Sequence, residues 1–281
     1  MARHHVLVRH RAGVWEPWPV SIMVVAHRGS NEEEPEHSLA AYLLAVEEGA
    51  DGVECDVRLT ADGTLVCVHD RRVSRTSNGR GVVSALTLPE LERQDFSGGP
   101  SVWRDFEDPK PDETRSRILT LRTMLATLLD ASSTISFSIE TKHPTRYGAY
   151  VESSLVELLE YFGLLRPAKD GTSRVRLMSF SSWALRRLHR MAPGTPTVLL
   201  MDRLFLWRTN GWLPHEVDIA GISITALRKN PGYVALSHAN GHQVHVWTVD
   251  ETADVTLCIE TGVDAIISNS PAMVREILGT A

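Results

Sequence analysis

The chain has 281 residues, of which 43% are hydrophobic and 23% are charged, and its formal net charge is −6 at pH 7. This composition is typical of a globular protein, and the length suits a single α/β barrel domain. The acidic balance argues against a nucleic-acid-binding protein, which usually carries a basic stripe. It leaves an anionic substrate open, because a bound cation reverses the local field.

The sequence lacks the features of a membrane or export sequence. No apolar run approaches the roughly 20 residues that span a bilayer. The first twenty residues are basic and lack an apolar core of signal-peptide length. The three cysteines do not have the spacing of a zinc site or a disulfide framework. We therefore expect no stable membrane insertion, reduced thiols and a cytoplasmic location.

Strand-like runs of β-branched and apolar residues alternate with segments of helical periodicity. The strand-like runs cover 21–27, 52–57, 65–70, 134–140, 175–180, 195–201, 220–225, 242–249 and 264–269. The helical segments cover 38–49, 120–131, 145–163, 181–190, 231–241, 251–262 and 271–279. This alternation predicts parallel strands with helical crossovers, and the number of units fits a closed (β/α)₈ TIM barrel. An open doubly wound sheet is the alternative, but its GxGxxG phosphate fingerprint is missing.

The domain organisation follows from where this alternation is absent. Residues 1–20 are predicted to form a loose N-terminal extension ahead of a single barrel domain over 21–281. Met23 is an alternative to Met1 as the natural start. An insertion is predicted at about 71–119, because this stretch breaks the alternation and carries the polar segment DFEDPKPDETRSR. Loops of that length usually cover a functional site or are disordered.

The stretch from Glu54 to His69 is too short for a helical crossover. Its Asp62-Gly63 pair is a strong hairpin signal, so LVCVHD is predicted to fold back antiparallel on GVECDV. A two-residue turn places His69 opposite Asp56, and a four-residue loop places it opposite Glu54. Either register brings the histidine beside a carboxylate, at about 5 Å between Cα atoms.

Two carboxylates on one strand are the main candidates for a metal site. Glu54 and Asp56 are one residue apart, so both side chains point to one face while the intervening apolar residues point to the other. In a barrel the apolar set faces the helices and the carboxylates face the lumen. Two close carboxylates need a cation or a shared proton. Glu140, at the end of another strand, is a candidate third ligand, and oxygen ligands favour Mg²⁺ or Ca²⁺ over zinc.

Two histidines and two cationic residues lie at strand ends. His27 and His69 are candidates for proton transfer, because imidazole titrates near neutral pH. Arg28 offers a fork-shaped donor to a phosphate, and Lys142 offers a point charge. The alternative for these residues, as for the carboxylates, is a structural ion pair or hydrogen bond at the barrel rim.

Two aromatic residues also end strands. Trp247 and Phe180 are candidates for an apolar wall at the barrel mouth, with simple packing as the alternative. The GxSxG, HExxH and GxxxxGK[ST] motifs are missing. Their absence argues against a serine esterase of the nucleophile-elbow type, a zinc protease and a nucleotide triphosphate hydrolase.

The ordered motifs AHRG, PEHSLAAY, GADGVECDVRLTADGTLVCVHD, RTSNGRG, ETKHP, MSFSS, VWTVD and GVDAIISNSP resemble the glycerophosphodiester phosphodiesterase family. The resemblance covers about residues 22–275 and is strongest to the short, leaderless actinobacterial members. It implies a TIM barrel with an insertion after the His-Asp strand. It also implies metal-dependent hydrolysis of glycerophosphodiesters, a small-molecule substrate, to sn-glycerol 3-phosphate and an alcohol.

Transferred to the matching positions, the resemblance implies that His27 and His69 are the acid/base pair and that Glu54, Asp56 and Glu140 bind the metal. It implies that Arg28 and Lys142 bind the phosphate. It also implies that Trp247 lines the glycerol side and that Glu36 supports the site. The metal is expected to be a single Mg²⁺ or Ca²⁺ ion. The mechanism that it suggests makes His27 the base and His69 the acid. The nucleophile is water or the substrate's own 2-hydroxyl, and the sequence does not choose between them.

Departures from the family pattern leave alternatives open. His37-Ser38 replaces the usual Asn-Thr, which removes an amide but keeps a helix-capping hydroxyl. An acidic run at 32–34 would disfavour anionic head groups, although a solvated charge run is the commoner explanation. The functional alternatives are a lysophospholipase D, a non-catalytic phosphodiester-binding barrel, and a barrel isomerase or aldolase. The oligomeric state stays open.

Overall fold

The computed structural model describes residues 7–9, 15–17, 22–98, 112–167, 171–204 and 209–280. Within these ranges the strands are β1 Leu7–Arg9, β2 Trp15–Pro17, β3 Met23–His27, β4 Gly52–Leu59, β5 Leu65–Cys67, β6 Ser136–Thr141, β7 Val175–Ser179, β8 Thr197–Met201, β9 Ile219–Ser223, β10 Gln243–Trp247 and β11 Ala265–Ser268. Strands β1 and β2 pair antiparallel in a small sheet of their own.

Eight strands form a closed parallel barrel. Their order around it is β3, β4, β6, β7, β8, β9, β10 and β11, which is also their order along the chain. The barrel closes through β3, which pairs with β11 on one side and with β4 on the other. The predicted (β/α)₈ architecture is therefore confirmed, and the open doubly wound sheet is wrong because such a sheet has two unpaired edges.

The helices are α1 Leu39–Glu47, α2 Leu88–Glu92, α3 Glu113–Ser116, α4 Leu121–Ala131, α5 Tyr150–Tyr161, α6 Ser182–Met191, α7 Ile224–Lys229, α8 Tyr233–Ala239, α9 Thr252–Thr261 and α10 Pro271–Thr280. Hydroxyl side chains cap several of them. The expected cap is present at Ser38, whose side chain accepts the backbone N–H of Ala41. The sequence analysis missed α7, because its six residues are too few to show a helical period.

Two apolar layers surround and fill the barrel. Val53, Cys55 and Val57 belong to the outer core, in which the strands pack against the helices. A smaller inner cluster lies in the lumen and contains Val25, Met178, Val198, Leu200, Ile219, Ala265 and Ile267. Glu54 and Asp56 line one cavity with members of this inner cluster. The alternation predicted for this strand is therefore confirmed.

The hairpin between β4 and β5 is antiparallel, as predicted, but both predicted registers are wrong by one position. The Thr60 N–H donates to the Thr64 carbonyl at 3.0 Å, so the loop has three residues. The Thr60 hydroxyl also accepts the Thr64 N–H, and Gly63 adopts φ +83°, both of which favour this loop length. Asp56 consequently pairs with Val68, whose N–H donates to its carbonyl at 3.0 Å.

Short elements lie between β5 and α4. They are the 3₁₀ helices Val73–Arg75 and Val83–Ala85, followed by α2 and α3. They enclose a third apolar cluster of Val66, Val68, Val73, Val83, Leu91, Phe96 and Ile118. Residues 99–111 of the predicted insertion, and most of the predicted N-terminal extension, lie outside the described residues. The predicted domain boundaries therefore stay predictions.

None of the helices in the described ranges is long and apolar enough to cross a membrane. Cys55, Cys67 and Cys258 are buried and carry free thiols.

The loop after β3 packs closely against α1 at Gly29, and this contact predicts how substitutions there change stability. Gly29 has φ +86°, and a Cβ there would lie 2.6 Å from both the carbonyl carbon and the Cβ of Ala41. Gly49 has a similar φ of +78° but no atom within 4 Å of its virtual Cβ. Gly29→Ala is expected to lower the free energy of unfolding by about 2–4 kcal/mol, through backbone strain plus overlap.

Gly49→Ala, which adds strain without overlap, should cost about 1 kcal/mol. Urea denaturation followed by circular dichroism measures both changes. If both variants lost the same free energy of unfolding, overlap with Ala41 would not add to the cost of Gly29→Ala, and the prediction would be wrong.

Candidate functional site

The predicted site residues meet at one end of the barrel, where the parallel strands have their carboxyl termini. A cavity of about 70 Å³ lies there. Nine of the ten predicted residues line it: His27, Arg28, Glu54, Asp56, His69, Glu140, Lys142, Phe180 and Trp247. The tenth, Glu36, lies beside it and accepts a hydrogen bond from the Arg28 guanidinium at 3.1 Å. This is the end at which TIM-barrel enzymes carry their active sites.

Three buried carboxylates form the centre of the cavity. One oxygen each from Glu54, Asp56 and Glu140 lies within 4.8 Å of the others. Burial and the charge of Asp56 raise the pKa of Glu54 well above its usual range, and they raise the pKa of Glu140 to about 8. Burial opposes ionisation of Asp56 too, but a hydrogen bond from His37 and nearby cations hold its pKa well below its usual range.

This donor set fits a hard divalent cation. Mg²⁺ and Ca²⁺ take oxygen ligands at about 2.0–2.6 Å, so two ligands on opposite sides of one ion are about 4–5 Å apart. The separation of the three carboxylates agrees with that span. The pKa values of Glu54 and Glu140 are raised although nearby cations oppose this change, and a bound ion would add the missing positive charge.

Two cationic side chains already contact the acids. The Lys142 ammonium lies 3.2 Å from Asp56 Oδ1 and 2.9 Å from Glu140 Oε1. Arg28 Nε lies 3.1 Å from Asp56 Oδ2 but without hydrogen-bond geometry. With all three carboxylates ionised, two cations leave one formal negative charge, which a bound metal ion would offset.

The ring of His27 is oriented by a side chain from the other end of the chain. Asn269 Nδ2 donates to Asp250 at 2.8 Å, so Asn269 Oδ1 must be an acceptor. His27 Nδ1 lies 2.6 Å from that oxygen and therefore carries the proton. The lone pair of a neutral His27 is then on Nε2, which lies 4.0 Å from Glu54 Oε2. Burial lowers the pKa of His27 to about 4, so the ring is a free base at neutral pH.

His69 is held by its neighbours in a similar way. Its Nδ1 lies 2.7 Å from Asp70 Oδ1, and a carboxylate accepts only, so Nδ1 donates. Asp70 is itself bound by Arg75 Nε at 2.5 Å, and Arg75 also makes two hydrogen bonds to Glu36. Arg58 donates twice to the His69 carbonyl, at 2.9 and 2.7 Å. Burial lowers the pKa of His69, and the charge of Asp56 opposes that change.

Two non-glycine residues with left-handed backbone conformation lie next to the site. Arg28 has φ +58° and His37 has φ +60°. The Arg28 N–H donates to the Glu54 carbonyl at 3.1 Å, and the His37 N–H donates to the Arg28 carbonyl at 3.0 Å. Strained backbone of this kind persists only where its surroundings fix it, and it is commonly found at functional sites.

His37 is the main functional residue that sequence reasoning did not place. It is 5% exposed, and its Nε2 lies 3.0 Å from Asp56 Oδ2. The carboxylate only accepts, so Nε2 donates, and Nδ1 then accepts from the Tyr42 hydroxyl at 2.8 Å. The sequence shows His37 only as a histidine in PEHS where the family pattern has an asparagine. Its hydrogen-bond partner, Asp56, is brought near by the tertiary fold. Arg58, Arg75 and Asn269 were missed for the same reason.

The aromatic residues form one wall of the cavity. The rings of Phe180 and Trp247 meet edge to face, with centroids 5.5 Å apart. The Lys142 ammonium lies 5.7 Å from the centroid of Phe180. Met178, Leu200 and Ile267 provide apolar surface in the lumen. One side of the cavity therefore suits carbon-bound substrate atoms, and the other suits charged oxygens.

Sequence comparison agrees with this site. The model of the "Glycerophosphoryl diester phosphodiesterase family" matches residues 27–273. A Mycobacterium tuberculosis protein named "Probable glycerophosphodiester phosphodiesterase 1" is 44% identical over 252 residues, which cover 90% of each chain. The Bacillus subtilis glycerophosphodiester phosphodiesterase is 29% identical, over 92% of this chain and 87% of that protein.

Solved structures agree as well. A glycerophosphodiester phosphodiesterase from Agrobacterium tumefaciens is 26% identical and superposes with a TM-score of 0.71, over 91% of this chain and all of that chain. A phosphodiesterase from Oleispira antarctica, in complex with the product sn-glycerol-3-phosphate, superposes with a TM-score of 0.75 at 24% identity, over 92% and 96% of the two chains. The barrel, the converging site and these matches show that the chain belongs to the glycerophosphodiester phosphodiesterase family of phosphoric diester hydrolases.

Proposed function

We propose that the protein hydrolyses glycerophosphodiesters to sn-glycerol 3-phosphate and an alcohol with one divalent cation and two histidines. The observation that carries this proposal is the buried triad of Glu54, Asp56 and Glu140 with His27 and His69 around the same cavity. The sn-glycerol-3-phosphate bound to the Oleispira antarctica relative supports the same product for this chain.

Glu54, Asp56 and Glu140 would hold the cation, which is Mg²⁺ or Ca²⁺ because all three ligands are carboxylates. Such an ion supplies Lewis-acid chemistry and a fixed orientation for a phosphoryl oxygen. His37 keeps the Asp56 carboxylate in place through its hydrogen bond of 3.0 Å. Partners behind a ligand commonly fix its orientation in this way.

Arg28 and Lys142 bind the phosphate. Both side chains line the cavity and are held by acids, Arg28 by Glu36 and Lys142 by Glu140. Their charges oppose the negative charge that builds up on the phosphoryl oxygens in the transition state. Glu36 supports the site by joining Arg28 to Arg75. Trp247 and Phe180 contact the carbon atoms on the glycerol side.

His27 is the base and His69 is the acid. His27 has a free Nε2 lone pair and a pKa of about 4, so it accepts a proton from the nucleophile at neutral pH. The nucleophile is water or the 2-hydroxyl of the glycerol moiety. His69 protonates the leaving alcohol. Burial lowers its pKa, but Asp70 and the negative charge of a bound substrate favour the protonated ring.

We further propose that residues 1–20 precede a single domain over 21–281, with an insertion at about 71–119 beside the barrel mouth. We also propose a cytoplasmic location, in which the three buried free thiols stay reduced.

Replacing either histidine should impair turnover without loss of the ion. His27→Ala and His69→Ala are expected to lower kcat by about 10²- to 10⁴-fold on glycerophosphocholine, the usual contribution of a general acid or base. Metal affinity, measured by calorimetry, should stay close to that of the wild type. His215→Ala is the matched control, because His215 is exposed on the surface. Near-normal turnover in both variants would contradict the assignment.

A substrate with a good leaving group separates the two roles. An acid is not needed to expel p-nitrophenolate, so His69→Ala should recover most of its activity on glycerophospho-p-nitrophenol. His27→Ala should stay impaired by about 10²-fold or more on both substrates, because its loss affects the nucleophile. Recovery of His27→Ala instead of His69→Ala would reverse the assignment.

The carboxylate triad is tested by ion binding. Asp56→Asn and Glu140→Gln should each remove a charged ligand, and calorimetry should then show metal affinity at least about tenfold lower. Chelation with EDTA should abolish hydrolysis, and adding Mg²⁺ or Ca²⁺ back should restore it. Glu33→Gln removes an exposed acid and is the control. Unchanged ion binding in both triad variants would exclude this site.

The role of His37 is tested by a conservative pair of variants. His37→Ala removes the donor to Asp56 and should weaken ion binding by about 10- to 100-fold. His37→Asn keeps a hydrogen-bond donor at this position and should lose less metal affinity than His37→Ala. Direct calorimetry on the purified protein distinguishes this effect from a change in turnover. Equal loss in both variants would indicate a packing role for the ring rather than orientation of Asp56.

A further inference from the structure

A second cavity lies beside the catalytic one and is strongly basic. It has a volume of about 190 Å³. Four cationic side chains line it, namely Arg58, Arg71, Lys142 and Arg146, and no aspartate or glutamate is among its lining residues, all of which lie in the described ranges. We call it the basic cavity. Because the chain as a whole has a net charge of −6, this local excess of positive charge is not an effect of composition.

The basic cavity adjoins the catalytic machinery. Lys142 lines both cavities, so they share one wall. Arg58, which lines the basic cavity, donates two hydrogen bonds to the His69 carbonyl. The basic cavity is therefore on the side of His69, where the proposed function places the leaving alcohol.

Lys142 is paired with Asp56 and Glu140, but the three arginines of the basic cavity are not paired in this way among the described residues. Within the described ranges, Arg58, Arg71 and Arg146 form no ion pair with a carboxylate. Burial lowers the pKa of Arg58; the charges of Asp56, Glu140 and Asp70 oppose this change, and the charge of Arg71 adds to it. Arg146 has only a ring contact, 5.7 Å from the Tyr147 centroid. Cations that crowd a cavity without an acid favour the binding of an anion.

Two uncharged polar groups of the wall have partners in the protein. The Tyr147 hydroxyl donates to the Ser84 carbonyl at 2.7 Å, and the Thr145 hydroxyl donates to the Gly148 carbonyl at 2.9 Å. The charged donors of the cavity are the three guanidinium groups and the Lys142 ammonium, and Arg58 already donates twice to the His69 carbonyl. A water occupies about 30 Å³, so the cavity has room for a phosphate group together with a few carbon atoms.

We propose that the basic cavity is a subsite for a second anionic group, a phosphate ester, carried by the alcohol half of the substrate. This inference rests on the proposed function and narrows its substrate class to glycerophosphodiesters with a phosphorylated head group. Arginines suit this ligand because their planar donor groups match phosphate oxygens.

The acidic run at 32–34 does not oppose this preference. Its residues line neither cavity, and Glu34 is paired with Arg115 at 2.7 Å. A charged cavity is also unsuited to the acyl chain that a lysophospholipase D must accommodate, because desolvating charged groups against hydrocarbon is unfavourable.

A matched pair of substrates tests the proposal. Glycerophosphoglycerol and glycerophosphoglycerol phosphate differ only in the terminal phosphate. We expect kcat/KM to be about tenfold higher for the phosphorylated substrate, and this preference should decrease as salt screens the charges. The double variant Arg71→Gln/Arg146→Gln should lose the preference while its kcat/KM for glycerophosphoglycerol stays unchanged. Arg72→Gln is the matched control, because Arg72 is exposed on the same segment but does not line the cavity.

A second arm uses glycerophosphoserine against glycerophosphoethanolamine, which differ by a carboxylate. A similar preference there, lost in the double variant, would show a general anion site and overturn the restriction to phosphate. Equal efficiency on the glycerophosphoglycerol pair, or a preference that survives in the double variant, would overturn the subsite itself.

Calorimetry keeps this inference distinguishable from the proposed function. The variant His27→Ala/His69→Ala should bind the phosphorylated substrate about tenfold more tightly than glycerophosphoglycerol, and adding Arg71→Gln/Arg146→Gln should remove the difference. This result would support the subsite even if the wild-type protein hydrolysed neither compound, an outcome that would overturn only the proposed function. Equal binding of the two compounds would overturn the subsite.

Discussion

The buried carboxylate of Asp56 is the group on which the barrel mouth depends. It is 1% exposed, and an isolated carboxylate in such a place would be protonated or would destabilise the fold by several kcal/mol. His37, Lys142 and Arg28 lie 3.0–3.2 Å from its oxygens and keep it ionised. The same negative charge raises the pKa values of the two neighbouring acids. The site therefore has one carboxylate that its neighbours keep ionised and two whose negative charge is unfavourable without further positive charge.

The closed barrel provides the framework for this arrangement. Parallel strands bring all their carboxyl ends to one mouth, so residues far apart in sequence share one cavity. Around it the charges are separated. Acids occupy the centre and two cations contact them directly, while three arginines that form no ion pair within the described part of the chain line the neighbouring cavity. A chain that is acidic overall thus presents a positive surface where the leaving group of a phosphodiester would emerge.

Periodicity and the family resemblance were enough to predict the barrel, the lumen-facing carboxylates and the residues that line the cavity. They were insufficient for the hairpin register, because the Thr60 hydroxyl and Gly63 favour a loop of three residues. They did not identify Arg58 or Asn269 either. Each of these acts through a hydrogen bond whose partner is brought near only by the folded barrel. Local sequence patterns predict the face to which a side chain points. Its hydrogen-bond partner, however, is determined by the tertiary fold.

Barrel closure has a consequence for the way in which the protein is made. The hydrogen bond that sets the tautomer of His27 is accepted by the side-chain oxygen of Asn269, 242 positions further along the chain. Because synthesis is vectorial, β3 leaves the ribosome long before its partner β11 does. A nascent chain that has emerged as far as β10 can carry all three carboxylates, yet the imidazole of its His27 has no fixed orientation. Orientation of this ring thus begins only after β11 and Asn269 have been synthesised and the barrel has closed.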